Sequence, residues 1–151
     1  MVLARILRTA PLWLAAAWVM GLTCLGFMVV PMLFAHLPSP ALAGNMAAKL
    51  FAAQTGVSTV CALLLVVILR SDQHAAPAQL VPTLTMLALA GALLALLVEF
   101  GVTPHIVARD NLKVWHSVGS AMYFVQWLCA LLVFGRLVNA AVAPQAESVQ
   151  V

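Results

Sequence analysis

The stretch "MGLTCLGFMVVPMLFAH", residues 20 to 36, places a sulfur or an imidazole at every fourth position: Met20, Cys24, Met28, Met32 and His36. Thioether and imidazole groups suit Cu(I), and histidine also suits haem iron or zinc. A step of four residues turns an α-helix by about 400°, so each member sits about 40° from the last and the two ends of the series differ by about 160°. On a straight helix the five cannot form one site. Met28, Met32 and His36 share an arc of about 80° and stand about 6 Å apart along the axis. Pro31 lies among them and cannot donate to the Phe27 carbonyl, which predicts a kink. The alternative use of the same residues is plain packing, with methionine filling irregular gaps between helices and His36 at the water interface.

A second group lies in "EFGVTPHIVARDNLKVWHSVGS", residues 99 to 120. Glu99 falls about four residues before the expected end of an apolar run, about 6–8 Å below that end. A carboxylate at that depth is costly and turns to a partner or a wet cavity. Arg109, Lys113 and His116 are the neighbours on offer, with Ser120 one turn beyond His116. Asp110 or Asn111 suits the N-cap of the following helix. His116 then sits in its second turn, where the positive end of the helix dipole favours neutral imidazole. A polar network of Glu99, Arg109, His116 and Ser120 is therefore expected at one membrane edge. A metal set would draw on His36, Met28, Met32, His105 and His116, because the three histidines map to one membrane face.

These residues must be positioned by helices in lipid. The chain of 151 residues is 65% hydrophobic and only 7% charged, against about a quarter charged in soluble domains. Such a chain cannot cover itself with a water-compatible surface. A net charge of +3 is too small and scattered for nucleic acid. Cys24, Cys61 and Cys129 are odd in number and lie in apolar runs, so free thiols are expected. The first apolar run exceeds the roughly 7–15 residues of a signal-peptide core, and reads as a retained span.

Four runs, about 11–35, 48–70, 79–103 and 112–138, are long enough to cross about 30 Å of hydrocarbon. Backbone groups in lipid must be bonded within their own segment, which makes these helices. The expected fold is an all-α integral membrane antiparallel four-helix bundle over residues 1–142, with a disordered polar tail from 143 to 151. Small residues at Ala88, Gly91, Ala92 and Ala95 allow close helix approach. Arg5, Arg8, Arg70 and Arg136 at one end against Lys49, Arg109 and Lys113 at the other favour cytoplasmic termini. No internal repeat stands out. Nor is there a Walker loop, a dinucleotide fingerprint, an HExxH or a catalytic serine triad.

"GFMVVPMLFAHLPSPALAGNMAAKLF", residues 26 to 51, resembles the first half of the small four-helix membrane proteins related to transmembrane protein 205. The shared features are Pro31, Phe34, Leu37, Pro38, Gly44, Lys49, Leu50 and Phe51, followed further on by Pro104, His116 and Ser120. One departure is "HSVGS", where Gly119 stands at the family's usual serine. The resemblance implies four spans and no agreed activity. A looser likeness to copper-resistance protein D implies copper or haem handling, at the level of fold alone.

The resulting expectation is a non-enzymatic accessory or structural bundle of the bacterial inner membrane. It would need no cofactor, and its partners would be the bilayer and either further copies or another membrane protein. Two alternatives stand beside it: a protein handling copper or haem b, and an oligomeric small-molecule exporter.

Overall fold

A computed structural model describes residues 2–71 and 75–142, with side chains from residue 9 onward; the expected polar tail at 143–151 lies outside the described residues. The described residues form α1 (Val2–Cys24), a π-helical segment (Leu25–Val29), α2 (Val30–His36), α3 (Pro40–Ser71), α4 (Val81–Leu97), a second π-helical segment (Val98–Val102), α5 (Thr103–Val107) and α6 (Leu112–Val142). They compose four spans long and apolar enough to cross a membrane: Thr9–His36, Pro40–Ser71, Val81–Val107 and Leu112–Val142. The protein is an integral membrane antiparallel four-helix bundle. Around its ring α1 packs between α3 and α6, and α4 packs between the same two on the far side.

Three boundaries differ by four residues or more from those expected, the fourth span running on to Val142 instead of ending at 138. The second span begins at Pro40, eight residues before the expected position 48. Proline is tolerated in the first turn of a helix, where its missing N–H is not needed, and the Ser39 hydroxyl accepts from the Leu42 amide at 3.3 Å. A sequence that looks like loop punctuation is thus a helix start. The third span continues through Pro104 to Val107, because the chain widens into a π-turn just before it.

Both π-segments share that arrangement. Each spans five residues, is followed by one residue and then a proline (Val30–Pro31 and Thr103–Pro104), and carries a phenylalanine four residues before that proline, Phe27 and Phe100. The Val30 and Thr103 amides each reach back five residues, to the Leu25 and Val98 carbonyls. A proline ring would collide with the carbonyl four residues earlier in a regular helix, and a wider turn relieves that collision. This is a short local repeat between spans one and three.

The core depends on close approach. Trp18 is fully buried, and a Cβ at Gly91 would stand 2.6 Å from its ring, so only glycine leaves room there. Ala15, Ala62, Ala88 and Ala130 belong to the same buried cluster and have no exposure, which is the small-residue packing that lipid requires in place of a hydrophobic force.

A polar layer crosses the middle of this core. Gln126 Nε2 donates to Ser58 Oγ at 3.1 Å, and Gln54 Nε2 to the same oxygen at 3.4 Å. Gln54 lies fourteen residues past Pro40 and Gln126 fourteen past Leu112, about 21 Å from one end of the bundle. Ser58→Ala removes the shared acceptor and should lower stability by about 1–2 kcal/mol, measured by denaturant titration in mixed micelles. Gln126→Leu, which takes out a donor together with its need for a partner, should cost less.

Candidate functional site

At the end of the bundle that holds residues 34–51 and 103–117, the helices part around a cavity of about 760 Å³. The local sequence explains why. The Tyr123 hydroxyl on α6 donates to the Leu22 carbonyl at 2.7 Å, and the Gly26 backbone amide meets the Tyr123 hydroxyl oxygen. In a regular helix that carbonyl would take the Gly26 amide directly. A Cβ at Gly26 would stand 2.6 Å from the Tyr123 ring. The Trp127 indole N–H donates to Thr23 Oγ1 at 2.9 Å, and its ring meets Phe27 edge-on at 5.4 Å. Spans one and four are therefore held together up to the first π-segment. Beyond it α2 stays packed on α3 and has little contact with α6, as expected where a π-turn and Pro31 redirect the helix.

The walls are mostly apolar. Val30 and Phe34 come from α2, Gly44, Ala48 and Phe51 from α3, and Ile106 and Val107 from α5. Phe51 also meets the Tyr123 ring edge-on at 5.2 Å, which ties the cavity to the junction below it. The polar lining is Asn45, Thr103, Arg109, Lys113, His116 and Ser117. Two carry cationic side chains, and among the described residues no carboxylate lines the wall.

Arg109 owes its place to the turn between α5 and α6. The Asp110 amide reaches the His105 carbonyl at 3.0 Å and the Arg109 amide reaches the Ile106 carbonyl at 3.1 Å. This is the paired bond pattern of a Schellman helix ending, whose left-handed position usually carries glycine. Here Arg109 occupies it, with φ of 58°, and Asn111 follows at 39°. An arginine held in that conformation is strained by its Cβ. The turn is braced by His105, which stacks on Trp115 with ring centroids 4.1 Å apart and lies 3.4 Å from Asp110.

The residues expected to work together are distributed as follows. Arg109 and His116 line the cavity with Phe34 and Phe51. Glu99 lies in the second π-segment, away from the cavity wall, with Oε2 buried and without a hydrogen-bond partner among the described residues. No bond or ion pair joins Glu99, Arg109 and His116 among the described residues. Ser120 is exposed and off the wall; Ser117, one turn earlier, is on it. His36 is exposed, with Nδ1 3.0 Å from the Met32 carbonyl, while His105 is engaged with Trp115 and Asp110. Among the described residues no three His, Cys, Asp or Glu gather at one point. Met20, Cys24, Met28, Met32 and His36 are all exposed, and the π-segment lies within their stretch. Cys61 and Cys129 are buried, and all three thiols are free.

Sequence reasoning passed over the Gln54–Ser58–Gln126 layer and the Tyr123 and Trp127 ties. The layer had a signal: two amides inside apolar runs at equal depth. The ties had none, since a tyrosine in a span shows nothing of the carbonyl it will meet.

The class this defines is a four-span membrane bundle with a cation-rimmed, apolar-walled cavity at one membrane edge. The chain matches a domain of unknown function, DUF4149, over residues 13–114, and belongs to that family. That match names neither transmembrane protein 205 nor copper-resistance protein D. No curated protein and no solved structure matches the chain.

Proposed function

We propose that this is a non-enzymatic accessory protein of the bacterial inner membrane, with both termini cytoplasmic, whose working feature is the edge cavity as a binding site for an apolar-bodied ligand. The cavity itself carries the reading. Its volume of about 760 Å³ falls in the range of about 300–1,000 Å³ that small-ligand sites occupy, and its mix of apolar wall and few convergent polar groups is typical of them. The non-enzymatic reading is supported by the state of the reactive side chains. Ser117 donates its hydroxyl proton back to the Lys113 carbonyl at 2.9 Å, and among the described residues no carboxylate shares the wall with His116. The arginine excess at the end that holds the termini supports the orientation.

A filling substitution tests the site. A Cβ at Gly44 meets nothing within 4 Å, so Gly44→Trp should occupy the cavity without disturbing the bundle. The purified wild-type protein should enhance the emission of a solvatochromic apolar probe saturably, and Gly44→Trp should abolish that signal at unchanged thermal stability. Equal probe binding by both proteins would refute the cavity as the site.

A further inference from the structure

We infer that the cavity is a docking site for one anionic phospholipid drawn sideways from the surrounding bilayer. Its phosphate would sit between Arg109 and Lys113, with an acyl chain between Phe34 and Phe51. The inference rests on the ligand-binding reading above and names the class of ligand.

Three observations carry it. The first is charge: Arg109 and Lys113 both line the cavity, no carboxylate does, and neither cation has an ion-pair partner among the described residues. Asp110, next to Arg109, faces His105 instead. The second is the way in. Below the first π-segment α6 is fastened to α1 through Tyr123 and Trp127, and above it α2 has little contact with α6. The cavity is therefore bordered on one side by a gap between two lipid-facing helices, at the level where Phe34 is half exposed. A ligand already dissolved in the bilayer reaches it without crossing water. The third is backbone strain. The left-handed conformation at Arg109 would be relaxed by glycine, yet it carries a long cationic side chain at the cavity rim. Strain held at a non-glycine residue points to a use for its side chain. Arginine and lysine side chains form charge-assisted hydrogen bonds to phosphate oxygens, so two of them at the cavity rim suit an anionic headgroup in either leaflet.

Two cations near the surface correspond to a preference of about tenfold or more for an anionic over a zwitterionic headgroup. Native mass spectrometry of the detergent-solubilised full chain, titrated with phosphatidylglycerol and phosphatidylcholine of identical acyl chains, reads this directly. The wild type should retain one phosphatidylglycerol about tenfold more tightly than phosphatidylcholine. Arg109→Gly combined with Lys113→Gln should bring the two lipids level. Glycine suits the backbone at 109, so thermal stability should be kept, and circular dichroism melting checks that. Gly44→Trp should lose both lipids. Equal retention of the two lipids by the wild type, or an unchanged preference in the double variant, would overturn the inference. Binding of glycerol phosphate as tight as that of phosphatidylglycerol would also overturn it, because the site would then read a soluble anion. In each of these cases the apolar probe, still displaced by Gly44→Trp, would leave the cavity reading standing; loss of probe binding in the wild type would remove both.

Discussion

Trp18→Ala should be among the most damaging single substitutions in the bundle, lowering stability by about 2–4 kcal/mol. Trp18 is fully buried and heads the large side chains of the core. In water-soluble cores such a truncation costs about 3–5 kcal/mol, part of it transfer from water and part the cavity left behind. In a bilayer the transfer part shrinks, because lipid tails are as apolar as the core. The lost contacts of an indole against Gly91 and the rest of the buried cluster remain. The Trp18 indole N–H is buried without a partner among the described residues, so Trp18→Phe should be far milder, since it removes an unsatisfied donor along with part of the ring. Unfolding of the three proteins in mixed micelles checks the order. Equal losses for Ala and Phe would mean that the indole N–H is satisfied by a group not yet seen.

Gly26→Val should act on the junction that shapes the cavity. Its Cβ would fall 2.6 Å from the Tyr123 ring, and moving that ring breaks the 2.7 Å bond from its hydroxyl to the Leu22 carbonyl. Overpacking costs about 1–3 kcal/mol, and a lost hydrogen bond at this depth adds about 1 kcal/mol. Tyr123→Phe, which removes only the bond, should cost about 1 kcal/mol. Because Phe51 leans on Tyr123 and lines the cavity, Gly26→Val should also weaken binding of the apolar probe, whereas Tyr123→Phe should leave it nearly intact. Probe titration beside the unfolding curves separates these outcomes.

Membrane residence and four helical spans were legible in the residues alone. A chain with 7% charged residues has too little polar surface for water, and long apolar runs in lipid can only be helices. The polar edge was legible in outline too: Arg109, Lys113 and His116 fall where a span gives way to a loop, as costly groups in lipid must. Which of them share a site was decided by the backbone path. A single π-turn rotates every residue beyond it relative to those before, so the direction in which Met32 and His36 face depends on a turn that a regular helical period does not contain. The cavity is likewise a tertiary product. It exists because Tyr123 fastens span four to span one at Leu22 and Gly26, while α2 beyond that point packs on α3 and has little contact with α6. The contact joins residues 101 positions apart, and no local pattern encodes a meeting at that separation.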